Sequence, residues 1–281
     1  VTTVEAAHLE FFPDTIAIAG AKAEIFEGLE PGGFAILNRD NQHFEFLAAA
    51  AQVRGAEVIG FGVDPRADAR VTSQEPGELG TKVSAEICGR AIDYVVGAPG
   101  HHWVMNSLAV LAAVHAIGAD LDLAAQAMAR IETGLGRGNR LHVPVAGGAI
   151  QVIDDSYNAN PASVRAALDV LRLTGAERRI VVLGDMGELG ADAPELHAGL
   201  APDIISFADL VFTVGTSTLA LDEVLPAAMR GGHWATSVEA APEIAAAARP
   251  GDAILVKGSN TVGMEAVVRA LAARTDQGAV A

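Results

Sequence analysis

Hydrophobic and polar positions along the chain alternate in blocks that have the lengths of helices and strands. A helical pattern over residues 15–29 is followed by Pro31-Gly32-Gly33 and by an apolar strand over residues 34–37. A second helix is predicted over residues 43–53 and a second strand over residues 56–63. Such alternation is typical of a parallel, doubly wound sheet.

The next segment does not follow this alternation. Residues 69–96 contain three β-rich runs without a helix between them, which predicts an antiparallel edge or hairpin. Two helices are then predicted, over about residues 102–117 and 121–132. The glycine-rich residues 133–140, "TGLGRGNR", end the second helix and are the predicted linker, since glycine at this density leaves the backbone free to hinge.

Beyond the linker the alternation of strands and helices restarts and predicts a self-contained α/β domain. The predicted strands are residues 149–153, 179–183, 209–214 and 253–256, and the predicted helices are residues 161–172, 194–206, 217–228, 238–248 and 261–273. A chain of 281 residues also exceeds the usual size of one hydrophobic core. We therefore predict two domains, residues 1–135 and 136–281.

Charge and composition exclude several classes of function. Thirty-five acidic residues against nineteen basic ones give a formal net charge of −16, which repels a phosphate backbone, so nucleic acid is not expected as a partner. Cys88 is the only cysteine, which fits a reducing cytoplasm and excludes a disulfide framework. The most apolar long stretch, residues 103–119, contains Asn106, Ser107 and His115, so no membrane insertion is expected.

Three glycine clusters invite a dinucleotide-binding interpretation, and none fits it. "GFGVDP", "GLGRG" and "LGDMGELG" each lack either the G-x-G-x-x-G spacing or the strand that should precede it. The sequence also contains no Gly-Lys pair, and therefore no Walker A loop. A nucleotide-dependent oxidoreductase or a noncatalytic nucleotide-binding module is thus only an alternative.

Lys22 is one of only three lysines and is a candidate metal ligand. It is spaced three and four residues from Ile25 and Ile18, which predicts a mostly apolar helix face where an ammonium group is costly. A lysine that loses its proton there can be carbamylated to a carboxylate-like ligand; a snorkelling side chain is the alternative. His8 precedes this helix and is of interest as a ligand only if it lies near Lys22.

Two further sets of polar residues are candidate nucleotide contacts. His102 and Asn106 are one helical turn apart, so an amide on that face could read a purine edge; N-capping and core hydrogen bonding explain them equally well. Arg137 and Arg140 lie in the predicted linker, where a guanidinium could clamp a phosphoryl group. A solvated loop arginine is the alternative.

The stretch "DDSYNANPASVRAAL", residues 154–168, follows a predicted strand, at the end of the sheet where α/β proteins place ligand chemistry. A carboxylate there could hold a ribose diol. Asn160 and Pro161 are explained as a helix start, with proline at the first helical position. That leaves Asp154, Asp155 and Tyr157 without a local explanation, although Asp154 could shape the turn.

The order of the motifs carries a resemblance to a known family. From residue 3 to about residue 270 the chain resembles the Mur ligases in "AAHLEFF", "AKAEIFEGL", "ILNRDN", "GHHWVMNSLAVLAAV", "GRGNRL", "VIDDSYNANPASVRAAL", "VVLGDMGELG" and "ILVKGSNTVGMEAVV". The resemblance implies the C-terminal part of a doubly wound Mur ligase central (ATPase) domain, followed by a Rossmann-like α/β C-terminal domain.

The same resemblance implies ATP-dependent amide ligation through an acyl phosphate. "DDSYNANP" with "LGDMGELG" is most similar to the members that add D-alanyl-D-alanine to UDP-N-acetylmuramoyl-tripeptide in peptidoglycan precursor synthesis. These two substrates are the expected partners of a cytoplasmic monomer. Other ATP-dependent ligases of the superfamily, of the MurE-like, folylpolyglutamate or cyanophycin type, are the alternative.

The resemblance also implies roles for particular residues, with ATP and Mg²⁺ as cofactors. The implied contacts are His8 and carbamylated Lys22 for Mg²⁺, Asn106 for adenine, Asp155 for ribose, Tyr157 and Asn158 for the nucleotide, Arg140 (or else Arg137) for the γ-phosphate, and loop 257–260 for the dipeptide. Trp103 departs from the family pattern, which often has asparagine there.

The family's phosphate-binding G-K-T loop and its UDP-binding domain have no counterpart in these 281 residues. Both should precede Val1. We therefore expect this polypeptide by itself not to ligate and to bind ATP poorly, since backbone N–H groups of such a loop hold the phosphates.

Overall fold

A computed structural model describes residues 1–5, 9–77, 80–131 and 133–274. The chain divides into two compact units, one formed by Val1–Glu5 and Phe12–Glu132, the other by Ala6–Phe11 and Thr133–Ala281. In the described ranges, no helix is both long enough and apolar enough to cross a membrane.

The first unit consists of a mixed sheet and four α-helices in its described residues. In chain order these are α1 (Thr15–Ala23), a 3-10 helix (Glu24–Gly28), β1 (Phe34–Asn38), α2 (Phe44–Val53), β2 (Glu57–Gly62), β3 (Ala69–Gly77), β4 (Gly80–Ile87), β5 (Arg90–Val96), α3 (His101–Ala116) and α4 (Leu121–Met128). The strand order is β1-β2-β3-β4-β5, parallel up to β3 and antiparallel beyond it. The predicted antiparallel segment over residues 69–96 is thus confirmed.

Helix α3 supplies much of the core of the first unit. Val104, Leu108 and Leu111 follow the three- and four-residue spacing of one helical face, and they pack in the same buried cluster as Phe61 and Ile87 of the sheet. His102 and Asn106, which were predicted to share a face of α3, therefore lie on its exposed side.

The second unit is a larger α/β unit. In chain order its elements are β6 (Asn139–Val145), β7 (Gly148–Asp155), α5 (Pro161–Leu173), β8 (Arg178–Gly184), a 3-10 helix (Gly190–Asp192), α6 (Ala193–Ala198), α7 (Ala201–Ile205), β9 (Leu210–Val214), α8 (Leu219–Val224), a 3-10 helix (Ala227–Met229), β10 (Arg230–Trp234), α9 (Ser237–Ala247), β11 (Asp252–Lys257), a 3-10 helix (Asn260–Val262) and α10 (Glu265–Ala272).

The described strands of this unit form one sheet in the order β10-β9-β8-β11-β7-β6. All neighbours are parallel except β6, which pairs antiparallel with β7. Helices α5, α7 and α8 bury side chains on one face, and α9 and α10 bury theirs on the other. The predicted doubly wound α/β class is therefore confirmed.

Two strands of this sheet were not predicted, and both lie at its edges. β6 begins inside the predicted linker, and Pro144 and the neighbouring glycines obscure its alternating Leu141, Val143 and Val145. β10 has the sequence RGGHW, in which two glycines remove any alternation. Edge strands need fewer apolar side chains and tolerate proline. The apolar pattern that predicts buried strands therefore does not detect β6 and β10.

Helix boundaries also differ in places from the predicted ones. The helix predicted over residues 194–206 is two short helices, α6 and α7, and α4 ends at Met128 instead of residue 132. Helix α5, by contrast, begins where the sequence predicts. Asn160 accepts a hydrogen bond from the Ser163 N–H at 2.8 Å, and the Ser163 hydroxyl accepts one from the Asn160 N–H at 3.0 Å. This capping box explains the sharp start at Pro161.

Strand β11 lies between β7 and β8, and all six of its residues are buried. Its apolar residues alternate between the two cores, with Leu255 on the α5 side and Ile254 on the α9 side. The strand begins with Asp252 and ends with Lys257, so each end of this buried strand carries a charge.

Candidate functional site

The polar turn after β7 is held in place by Asp154. Its buried carboxylate accepts hydrogen bonds from the Ser156 hydroxyl at 2.6 Å, the Ser156 N–H at 3.2 Å and the Gly136 N–H at 3.1 Å. The Asp154 carbonyl accepts a further one from the Gly138 N–H at 2.8 Å. The expectation that Asp154 shapes the turn is confirmed, and part of the predicted linker is fixed to the turn.

Gly136 is required at this junction. Its φ is +70°, and a Cβ there would lie 3.0 Å from the Tyr157 nitrogen. The Tyr157 N–H in turn donates to the Gly136 carbonyl at 2.9 Å. The linker segment and the turn therefore form one compact element.

Arg137, Tyr157 and Asn158 are grouped on the outer surface of this element. The Arg137 guanidinium lies 4.0 Å from the centre of the Tyr157 ring, and that tyrosine is 48% exposed. Asn158 is exposed, and its side-chain oxygen accepts a hydrogen bond from the Ala159 N–H at 2.9 Å. The structure thus brings together an aromatic ring, a cation and an amide.

Arg140 lies elsewhere on the second unit. It is opposite Ile153 in the β6–β7 pair, and its guanidinium is 3.4 Å from the hydroxyl of Thr174, the residue that caps the C-terminal end of α5. The Tyr157 turn precedes the N-terminal end of the same helix. Arg137 contacts the turn directly, through the Tyr157 ring.

Asp155 forms an ion pair that the sequence analysis did not anticipate. Lys257 is its neighbour in the β7–β11 register, and the Lys257 ammonium lies 2.6 Å from Asp155 Oδ2 and 2.8 Å from the Asn158 carbonyl oxygen. Burial lowers the pKa of Lys257, and the adjacent Asp155 charge opposes that shift. The signal in the sequence was a lysine that closes the apolar run "AILVK".

The loop after β8 contacts the segment that leads into α8. The Asp185 carboxylate accepts hydrogen bonds from the N–H groups of Thr216, Ser217 and Thr218 at 2.9, 3.0 and 2.8 Å. These N–H groups lead into α8, so the Asp185 carboxylate satisfies the backbone donors in front of this helix.

The predicted environment of Lys22 is wrong. Lys22 is exposed, and Ile25, predicted to share its apolar face, is 70% exposed. Only Ile18 and Ala19 of α1 are buried, and the chain tightens into a 3-10 helix from Glu24, which turns Phe26 into the core in place of Ile25. The apolar face predicted around Lys22 is therefore not formed.

The other predicted residues include two polar side chains of α3. His102 and Asn106 share the exposed face of α3, as their spacing predicts, and His8 lies outside the described residues. Within the ranges that the structure covers, no three His, Cys, Asp or Glu side chains are grouped to hold a metal ion. The described residues alone do not fit a complete Mg²⁺ site.

Comparison with known proteins agrees with this architecture. The model of the Mur ligase middle domain matches residues 1–114, and that of the Mur ligase glutamate ligase domain matches residues 136–260. The UDP-N-acetylmuramoyl-tripeptide–D-alanyl-D-alanine ligase of Escherichia coli K12 is 34% identical over 277 residues, which cover 96% of this chain and 59% of that protein.

Solved structures give the same result. A crystal structure of MurF from Acinetobacter baumannii superposes with a TM-score of 0.84 at 27% identity, over 97% of this chain and 58% of that one. MurF ligase from Thermotoga maritima, solved in complex with ADP, superposes with a TM-score of 0.81 at 22% identity, over 98% and 61%, a likeness of fold alone. The chain belongs to the Mur ligase family.

Within the family, the three relatives just described are all MurF. The name of the E. coli protein describes a ligase of UDP-N-acetylmuramoyl-tripeptide and D-alanyl-D-alanine. This chain spans 59% of the length of that E. coli ligase.

Proposed function

We propose that this chain is part of a cytoplasmic, monomeric, ATP-dependent ligase that adds D-alanyl-D-alanine to UDP-N-acetylmuramoyl-tripeptide. The observation that carries the proposal is the turn after β7, where Asp155, Tyr157 and Asn158 follow a buried strand and Arg137 covers one side of the tyrosine ring. A carboxylate, a ring and an amide are the groups that a ribose and a base require.

In the proposed reaction the γ-phosphoryl group of ATP passes to the substrate carboxylate: a carboxylate O–P bond forms, the bond from the γ-phosphorus to the bridging oxygen breaks, and ADP leaves. The amine of the dipeptide then attacks the acyl phosphate carbon, its C–N bond forms, the C–O bond to phosphate breaks, and the amine loses its proton to solvent. Such chemistry depends on positioning and on neutralising charge more than on a protein nucleophile.

The residues have separate parts in this proposal. Asp155 holds the ribose, and Tyr157 and Asn158 hold the nucleotide beside it. Asn106 of the first unit reads the adenine edge, Arg140 contacts the γ-phosphate, and loop 257–260 receives the dipeptide. His8 and carbamylated Lys22 are the proposed Mg²⁺ ligands.

The test is phosphate release from ATP by the native polypeptide that contains this sequence. With UDP-N-acetylmuramoyl-tripeptide present, we expect release that depends on D-alanyl-D-alanine and is much slower with a single amino acid. Equal release with single amino acids as acceptors would favour another ligase of the family and contradict the dipeptide assignment. The polypeptide of residues 1–281 alone should show no turnover.

A further inference from the structure

Lys257 is placed where it controls the geometry of Asp155. It is 2% exposed, and it closes a strand whose other five residues are also buried. Two of its three ammonium donors are used, one by the Asp155 carboxylate and one by the Asn158 carbonyl. Both partners belong to the β7 turn, so one buried cation joins the strand end to the turn that follows it.

This contact leaves Asp155 with one occupied and one available oxygen. Oδ2 binds Lys257, while no hydrogen bond from another described residue reaches Oδ1. The Asp155 side chain is also partly exposed. The carboxylate is therefore held from the protein side in a fixed orientation and presents a single acceptor to solvent.

Stability alone does not account for a lysine at this position. Removing an ammonium group from water is unfavourable, and an apolar side chain of similar length would fill the end of a buried strand without that cost. Burial lowers the pKa of Lys257, in agreement with this cost. What the ammonium provides, and an apolar side chain does not, is a directional contact to Asp155 Oδ2 and to the Asn158 carbonyl.

We propose that Lys257 is a positioning residue that aims Asp155 Oδ1 at one ribose hydroxyl of the nucleotide. The inference rests on the proposed function, because it concerns the same nucleotide. In this inference Lys257 does not contact the nucleotide itself. Its consequence is discrimination: one oriented acceptor distinguishes a ribose from the corresponding deoxyribose.

The experiment measures the affinities of the native polypeptide for ATP, 2′-deoxy-ATP and 3′-deoxy-ATP by titration calorimetry. We expect the wild type to prefer ATP by about tenfold over one of the two analogues, as for one hydrogen bond to a charged group. Lys257→Met should bring that ratio to about one. Lys257→Gln, which keeps a neutral donor for the Asn158 carbonyl, should give the same fall if Lys257→Met does not fold.

Strand β11 supplies a matched control at its other end. Asp252 pairs with Arg178 at 2.7 Å, so Arg178→Met also breaks an ion pair of the same strand, one in which the carboxylate is buried and the guanidinium partly exposed. This variant should lose stability but keep the wild-type ratio of affinities. Asp155→Asn should remove the discrimination, and Lys257→Met added to it should cause no further loss.

Two results overturn the inference in distinguishable ways. If Asp155→Asn removes the discrimination and both Lys257 variants keep it, Lys257 does not position the carboxylate, while the proposed ribose contact stands. If the wild type binds all three nucleotides equally, the ribose contact of the proposed function fails, and the inference fails with it.

Discussion

The Asp154 carboxylate lies 3.1 Å from the backbone nitrogen of Gly136, a residue 18 positions earlier, whereas Asp155, the next residue, pairs with a lysine 102 positions later. Two adjacent carboxylates therefore have different tasks. Alternation along β7 sends them to opposite sides of the strand, so one can close the linker onto the turn while the other faces the end of β11.

We expect Asp154→Ala and Asp155→Ala to separate stability from nucleotide binding. Asp154→Ala removes the acceptor of three hydrogen bonds and should lower the free energy of unfolding by about 2–3 kcal/mol. Asp155→Ala should weaken ATP binding by the native polypeptide more than Asp154→Ala does, in titration calorimetry. Equal losses of affinity would mean that the turn as a whole, and not one carboxylate, sets the binding.

The two linker arginines should differ in their response to the γ-phosphate. Arg137 stacks on Tyr157, so Arg137→Ala should weaken ADP and ATP binding by similar factors. If Arg140 contacts the γ-phosphate, Arg140→Ala should weaken only ATP binding, by about tenfold or more. An unchanged ratio of ATP to ADP affinity in Arg140→Ala would remove that role, and the Thr174 contact would then be its structural explanation.

The three lysines should differ in chemical reactivity. Lys22 and Lys82 are exposed, whereas Lys257 is buried against Asp155. Reductive methylation of the native protein, followed by peptide mass spectrometry, should label Lys82 rapidly and Lys257 only after unfolding. Protection of Lys22 in the native protein would show that its amine is covered or carbamylated there.

His197 should make the second unit sensitive to acid. Its Nε2 accepts a hydrogen bond from the Met186 N–H at 2.8 Å, and its Nδ1 lies 2.6 Å from the Ala193 carbonyl oxygen. An imidazole that accepts a hydrogen bond at one nitrogen is neutral, so His197 is neutral in the folded protein. Burial lowers the pKa of His197 below its usual 6.5, an effect that the Ala193 hydrogen bond and the Asp185 charge partly oppose. The unfolded chain therefore takes up the proton first as the pH falls.

It follows that the stability contributed by neutral His197 is complete above pH 6.5 and is lost below it. Urea unfolding at a series of pH values should show a decline of up to about 1.4 kcal/mol per pH unit from this group, reduced in His197→Gln. His115→Gln is the control, since His115 is exposed on α3. A slope that His197→Gln leaves unchanged would assign the acid sensitivity to other groups.

Cys88 occupies a turn position that suits asparagine better. It has a φ of +49° and Gly89 one of +83°, and these two residues join β4 to β5 with Ile87 opposite Arg90. A two-residue hairpin loop of this kind favours Asn-Gly. Cys88→Asn should raise the free energy of unfolding by about 0.5 kcal/mol, and β-branched Cys88→Val should lower it by about 1 kcal/mol. The reverse order in urea denaturation would contradict this assignment.

Local signals in the sequence predicted elements that depend on local physics. Asn160 and Pro161 mark the start of α5 because a capping box needs only residues three positions apart. Lys22 was placed wrongly because the pattern assumes 3.6 residues per turn, and the 3-10 turn after Ala23 changes which side faces the core.

Long-range pairing was outside the reach of the pattern. Nothing near Asp155 in the sequence indicates Lys257, because the two residues come together only when β11 pairs with β7. The edge strands β6 and β10 were missed for a related reason, because a strand with one neighbour carries only a weak apolar signal.

The position of β11 also sets the order in which the second unit can assemble. β7 and β8 are consecutive in the chain, yet they do not pair with each other, because β11 lies between them. Of the described strands, β11 is the last to be synthesised. During translation both strands keep an open edge until residues 252–257 leave the ribosome, and open edges are templates for pairing between chains. Premature termination before Asp252 would thus release a polypeptide prone to aggregation, and a late, non-local strand insertion is the expected slow step of folding.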